Sequence, residues 1–402
     1  MKVKREIPGS KRRRLASGGC WRSLRWAATF GSGVVLGAMP ALADPVPYPG
    51  MTGPLSANAS PTKLDAGPLG NIYVTGVVSG MAQWQDSVFP GDHETEIDLT
   101  NGQVLVQKTD GPIQFFVEAG AYSLPDLGAP YLKARTATND FFGPVPQAFV
   151  KIVPSSNFSI MVGKLPTLIG AEYTFSFENM NIQRGLLWNQ ENAVNRGVQV
   201  NFTSGPLTAS VSLNDGFYSK KYNWLWGSLA YTIDKSNSVS LIAGGNLGHT
   251  NRSTFVTPVA QNNGQMYNLI YTHTQGPWTI EPYFQYTRVP RIPEVGITHS
   301  ASTYGGALFV NYTVNNNFHV AARGEYIAST GSVANGAPSL IYGPGSKAWS
   351  FTITPTYQKG IVFVRAEYSH VTAFDTVPGF AMGPDFNSNT QNRLLVETGL
   401  LF

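Results

Sequence analysis

Tight-turn signals recur along the chain: Asp110-Gly111-Pro112, Pro154-Ser155-Ser156-Asn157, Ser204-Gly205-Pro206, Lys235-Ser236-Asn237, Gln275-Gly276-Pro277, Asn315-Asn316-Asn317 and Lys359-Gly360. Gly supplies positive φ, Asn and Asp bond their own backbone, and Pro pre-sets φ. Each signal is flanked by two stretches of roughly 8–12 residues that alternate with period two, the signature of paired strands. Longer polar connections separate these hairpins, at about 86–96, 123–144, 166–194, 214–221, 248–264, 290–301, 330–345 and 372–390. Short and long connections take turns. This cadence predicts sixteen antiparallel strands joined by seven short turns and eight long loops.

The alternation also sorts charge. Around 278–288, Trp278, Ile280, Pro282, Phe284 and Tyr286 share one parity, and Glu281, Tyr283, Gln285 and Thr287 the other. Val320, Ala322, Gly324, Tyr326 and Ala328 oppose Arg323 and Glu325, while Val362, Val364, Ala366 and Tyr368 oppose Arg365 and Glu367. In the last stretch, Leu394, Val396, Thr398, Leu400 and Phe402 oppose Arg393, Leu395, Glu397, Gly399 and Leu401. An Arg or Lys turned to the bilayer midplane costs about 2–4 kcal/mol, so charges confined to one parity fit a sheet with one face in lipid. Such a sheet spans only if it closes on itself, because lipid offers its backbone no partner.

Composition agrees. Only 13% of residues are charged, about half the usual share in soluble domains, and mean hydropathy is near neutral. A soluble two-sheet sandwich also alternates. However, its strands run about 5–6 residues and its inner face is packed with large apolar groups, not Arg/Glu pairs. The expected fold is all-β: a closed antiparallel transmembrane β-barrel of about 16 strands over 71–402, with short periplasmic turns and long extracellular loops. Pro282 and Pro355 each remove a ladder hydrogen bond and are expected at bulges. Lys164 shares its parity with Phe158, Ile160 and Val162, and a one-residue bulge there would turn it inward.

The N-terminus reads as export machinery. Basic residues crowd positions 1–25, an uncharged stretch runs to Ala43, and Ala41-Leu42-Ala43 precedes Asp44. This predicts a signal peptide, 1–43, cleaved after Ala43. Its removal leaves 19 Lys+Arg against 23 Asp+Glu, a net charge of −4. Any case for nucleic-acid binding from the basic whole-chain balance then fails. Cys20 is the sole cysteine and leaves with the signal peptide. Residues 44–70, rich in Pro, Gly and Ser, read as a flexible periplasmic segment.

The stretch 161–202 resembles the OmpL-like β-barrel porins of Gram-negative bacteria. Gly163-Lys164 ends a strand, Thr167 and Gly170-Ala171-Glu172 follow, Asn179 to Arg184 form an Asn-rich loop, and Gly197 opens the next strand. The resemblance implies an outer-membrane channel without naming a solute. Phe402, with apolar residues at every second position before it, is similar to the C-terminal signal recognised by barrel-assembly machinery. The other expected partners are outer-membrane lipid, lipopolysaccharide and small solutes, with a homotrimer by analogy of fold.

Sixteen strands enclose more space than side chains fill, so a water-filled channel for passive diffusion of ions and small hydrophilic solutes is the expected function. A substrate-specific channel for a sugar, carboxylate or hydrophobic solute, and a non-conducting structural or adhesive surface barrel, stand as alternatives. Residues 166–194 are the candidate constriction loop, carrying Glu172, Glu178, Glu191 and Arg184, with Lys164 before it and Arg196 after. Its apolar content favours folding inward over lying exposed. On the walls Glu281, Arg323, Glu325, Arg365, Glu367, Arg393 and Glu397 are expected to line the pore, either as an ion-pair network or as a conduction ladder. The mature charge tilts selectivity toward cations. The six His are scattered without ligand spacing, so no metal, cofactor or enzymatic activity is expected.

Overall fold

The computed structural model describes residues 50–192, 194–254 and 257–402. Ala43 and residues 44–49 lie outside them. Among the described residues, a short β1 (Thr62–Asp65) precedes sixteen long strands. These are β2 (Asn71–Gln85), β3 (Thr95–Lys108), β4 (Ile113–Tyr122), β5 (Gln147–Ser155), β6 (Phe158–Pro166), β7 (Val194–Ser204), β8 (Leu207–Asn214) and β9 (Trp224–Thr232). Then come β10 (Asn237–Asn246), β11 (Gln265–Gln275), β12 (Trp278–Val289), β13 (Ala301–Asn315), β14 (Phe318–Ser329), β15 (Lys347–Lys359), β16 (Val362–Phe374) and β17 (Thr390–Leu401).

From β2 onward each strand pairs antiparallel with its neighbours in sequence, and β17 returns to β2 from Arg393↔Gln85 to Leu401↔Val77. The sheet is a closed barrel of sixteen strands. The two faces separate as the alternation predicts: Val396 is 51% exposed, while Leu395 and Glu397 on either side are 2% and 0%. Outward aromatics gather near both rims. Trp278 and Tyr312 pair at 4.5 Å near the turn end, and Tyr304, Tyr326 and Trp349 stand near the loop end. Among the described residues no helix is long and apolar enough to cross a membrane.

Neither proline makes a bulge. The β11–β12 register is the same on both sides of Pro282, and the β15–β16 register is the same on both sides of Pro355. A missing N–H interrupts the ladder toward one neighbour and need not shift its phase. The register shifts fall elsewhere, between Ser79 and Gly80 in β2–β3, between Ile152 and Ser155 in β5–β6, and between Thr313 and Asn315 in β13–β14.

Residues 50–70 lie against the turn end of the barrel. β1 pairs with the start of β2, below the end of β17. Ser56 exchanges two hydrogen bonds with the Gln358 side chain, donating at 2.7 Å and accepting at 2.8 Å. Leu55 is 2% exposed, packed with Val77, Phe363 and Leu401 inside the turn end. Phe402 and Gly76 exchange backbone hydrogen bonds of 2.7 and 2.9 Å. A Cβ on Gly76 would lie 2.5 Å from Phe402 Cζ, so the ring occupies the space that only glycine leaves there.

Candidate functional site in the barrel lumen

Residues 167–192, between β6 and β7, do not project from the rim. They run down into the barrel, turn near its far end and climb back. Leu168, Ile169, Phe175, Phe177, Met180, Ile182, Leu186, Leu187 and Trp188 are all buried there. Apolar groups at this density need a surface to pack on, and the barrel wall supplies it. Phe175 and Phe177 stack at 6.0 Å beside Leu55 and Leu401, and Thr52 N–H donates to Glu178 O at 2.9 Å. The inserted segment therefore meets the N-terminal residues near the turn end.

Wall charges on β14 and β16 bind the segment by its backbone, and those on β17 reach its side chains. Arg365 donates to the carbonyls of Ser176, Asn179 and Met180 at 2.8–2.9 Å. Glu367 accepts from the N–H groups of Ile182 (2.5 Å) and Gln183 (3.0 Å), and Glu325 from those of Leu186 (3.0 Å) and Leu187 (3.2 Å). Arg323 Nη1 reaches Glu172 Oε1 at 2.6 Å and Gln183 O at 2.7 Å, with Glu325 Oε2 3.2 Å from its Nε. Glu397 accepts from Ser176 Oγ at 2.7 Å and lies 3.6 Å from Arg365. Buried irregular backbone needs partners, and ionised side chains make the stronger ones.

Other expected residues join the same body. Glu172 also accepts from Gly185 N–H at 2.8 Å, and Glu178 from Phe175 N–H at 2.8 Å. Arg184 pairs with Asp126 at 3.2 Å and lies over the Trp188 ring. Tyr283 donates to Glu191 at 2.8 Å from across the lumen. Glu281 faces inward but stands apart from the network, accepting from Thr272 at 2.7 Å.

Lys164 and Arg196 are corrections. They pair with each other across β6–β7, next to Val162↔Val198, whose side chains are 46% and 43% exposed on the outer face. The nearby register shift lies on the β5 side, so the β6 alternation runs unbroken and Lys164 stays on the outer parity. Its Nζ bonds the Phe142 and Val145 carbonyls at 3.0 and 2.6 Å. Arg196 pairs with Asp215 at 2.7 Å and lies 3.7 Å over the Tyr218 ring. Burial raises the Asp215 carboxyl, against the pull of the Arg196 N–H and guanidinium.

The sequence reading missed a second insert. Residues 123–132, between β4 and β5, are buried throughout and run beside the first segment, with Asp126 bridging Arg184 in parallel. Arg393 donates to Asp126 O at 2.6 Å, to Gln183 Oε1 at 3.0 Å and to Ala129 O. The signal was available: Leu124, Leu127, Tyr131 and Leu132 give this stretch the same apolar density as 166–194.

The inserts fill the barrel. Inward side chains at mid-height on opposite walls, including Met81, Leu105, Phe116, Met161, Ser212, Trp226, Asn268, Tyr283, Phe309 and Thr352, are each 4% exposed or less. Side chains lining a wide aqueous bore would be wetted. Among the described residues no such bore runs through this conformation.

A closed barrel with a lipid-facing belt, a polar-charged inner wall and inserted segments defines a channel-forming protein of the outer-membrane type. The chain belongs to the family described as "Putative beta-barrel porin-2, OmpL-like", whose model matches residues 71–402. No curated protein matches the chain. Several solved barrels share the fold at low identity. OmpT of Vibrio cholerae is 13% identical with a TM-score of 0.57, covering 85% of this chain and 100% of that one. An anion-selective porin from Comamonas acidovorans is 13% identical with a TM-score of 0.56, covering 82% and 99%. The outer membrane channel DcaP of Acinetobacter baumannii is 12% identical with a TM-score of 0.53, covering 83% and 97%.

Proposed function

We propose that this protein is a narrow, solute-selective porin of the outer membrane, in which small solutes pass passively when the inserted 166–194 segment yields. The observation that carries this reading is the burial of inward side chains on opposite walls at mid-height, combined with wall charges committed to the segment's backbone. A wide general-diffusion pore would leave those charges facing water. Glu172, Glu178, Arg184, Glu191, Arg323, Glu325, Arg365, Glu367, Arg393 and Glu397 are then constriction residues that act by holding the segment, and not as a ladder of free charges.

The remaining assignments follow from that reading. The long loops face the cell exterior and the short turns the periplasm. Export uses a signal peptide cleaved after Ala43, and Phe402 presents the final strand to the assembly machinery. A homotrimer in lipopolysaccharide-containing membrane is consistent with the trimer form of OmpT from Vibrio cholerae, which shares the fold. Family and barrel likeness support a channel in preference to an enzyme.

Single-channel recording of the refolded mature protein in planar bilayers, under a salt gradient, tests the proposal. The expected record shows small or brief steps in the wild type and larger, longer ones when residues 172–188 are replaced by a short Gly/Ser linker. Large, permanently open ohmic steps from the wild type would overturn it.

A further inference from the structure

The loop end of the barrel carries a half-open hollow. The connections after β2, β4, β6, β10, β12, β14 and β16 converge there around a cavity of about 750 Å³. Its floor includes Leu186 and Ile327, 2% and 1% exposed, directly above Glu325 and Arg323. Phe89 and Phe386 stand 6.1 Å apart at one side, and Val333 and Leu340 at another. Among the described residues none of the 27 that line the cavity is charged. At the chain's 13% charged composition, about three would be expected by chance.

Position explains this absence only in part. The connection after β14, residues 330–346, contains no charged residue at all. Its neighbours do carry charge, but Arg291, Glu294, His299, Asp375 and Asp385 are all exposed and outside the cavity lining. The connections after β12, β14 and β16 turn what charges they have to solvent and apolar side chains inward, over an entrance that a solute must cross.

We propose that this cavity is a binding site for an uncharged, largely apolar organic molecule of drug-like size, such as an aromatic or aliphatic alcohol. This rests on the channel reading, since it makes the cavity the first station on the pathway. The volume falls in the range of small-molecule pockets, about 300–1,000 Å³, and the mix of apolar walls with a few amide and hydroxyl groups is the usual recognition chemistry. An ion of either sign would lose its hydration there and find no partner of opposite charge. Asn189 and Gln261 give an alcohol or carbonyl something to bond without selecting for charge.

The test uses three probes of one shape: 2-naphthylmethanol, 2-naphthoate and 2-naphthylmethylammonium. Binding is read by saturation-transfer NMR on the full-length mature protein in lipid nanodiscs, with empty nanodiscs subtracted for partition into lipid. The alcohol should bind saturably, and both ions at least about tenfold more weakly. Val333→Asp, at a position 61% exposed where a carboxylate is tolerated, should weaken the alcohol and make the ammonium bind more tightly than the carboxylate. Leu340→Ala enlarges the cavity without adding charge and should weaken the alcohol alone. Equal binding of all three probes, a signal no larger than that of empty nanodiscs, or indifference to both variants in heat-modifiable protein would overturn the inference. Bilayer conductance of the same preparation separates the two readings. Conductance without probe binding removes only this site; probe binding without conductance under any voltage removes the channel and leaves a binding barrel.

Discussion

Two stretches of barrel wall face the same inserted segment and hold it with different balances of charged and apolar contact. β14 to β17 present Arg323, Glu325, Arg365, Glu367, Arg393 and Glu397, each spent on backbone groups or on one another. β9 to β13 present Trp224, Trp226, Ile242, Met266, Ile270 and Phe309, with Glu281 as the one inward charge among the described residues. The difference follows the partner's chemistry. Against the charged wall run residues 176–187, whose irregular backbone leaves carbonyls and N–H groups without internal partners. Against the other wall the segment turns Leu168, Ile169 and Leu187 into apolar contact, with three hydrogen bonds beside it: Gly170 N–H to Asn268 Oδ1 at 3.3 Å, Gln285 Nε2 to Leu187 O at 2.9 Å and the Tyr283 hydroxyl to Glu191 at 2.8 Å. One wall fixes position, because directed bonds fail when displaced by an ångström. The other has only neutral wall partners in its three directed bonds, and more of its hold comes from apolar area, which tolerates sliding. Loss of the charged contacts would leave the segment held mainly by the second wall.

Breaking the charged wall should have the largest effect. Arg365→Ala strands three buried carbonyls and leaves Glu397 without its cation, which should cost about 3–5 kcal/mol. Urea titration of the protein in lipid vesicles, followed by heat-modifiability, measures the loss. Single-channel records of the same variant should show longer open times. A stability loss with unchanged gating would mean that the clamp only holds the barrel together.

Met266→Ala on the apolar wall should cost about 2–4 kcal/mol through the cavity it leaves. Its open times should stay near wild type, because no directed bond to the segment is lost. Comparable gating changes from both variants would erase the distinction between the walls. A subtler variant sharpens it. Glu397→Gln keeps an acceptor for Ser79 and Ser176 while removing the charge near Arg365, and should cost about 1 kcal/mol, the difference between charged and neutral hydrogen bonds. The check is the same titration, with a shift clearly smaller than that of Arg365→Ala.

Much of this was legible in the chain. Period-two alternation and the cadence of turns define the sixteen strands, since a one-residue slip would turn Arg323 or Arg365 into lipid. The inward positions of the β12, β14, β16 and β17 charges follow from parity alone. The bulge expected at Lys164 overrules parity, and Arg196 is placed only by its nearness to the loop; their outward heads instead find carbonyls and Asp215 at the rim. The second insert was missed because polar connections were read as surface, although Leu124, Leu127 and Leu132 argued otherwise. What pattern cannot reach is the partner of each wall charge. Irregular backbone has no period, so nothing in the spacing of Asn179 to Arg184 indicates that Arg365 would take their carbonyls and Glu367 their N–H groups.

The smallest effect belongs to an ion pair of the same kind outside the barrel interior. Lys347 and Asp375 meet at 2.8 Å at the loop end, with side chains 44% and 62% exposed. The distance is close to that of Arg323 and Glu172, but water solvates both partners when they part and salt screens them when they meet. Lys347→Ala should therefore leave the urea midpoint, the open time and the conductance unresolved from wild type at physiological ionic strength. Any small shift at low salt should vanish as salt rises. The Arg365→Ala loss should persist at every salt concentration, because its groups sit where counter-ions do not reach. If the two variants responded alike to salt, the lumen would have to be wet around Arg365, and the filled barrel would not be the form the protein holds in the membrane.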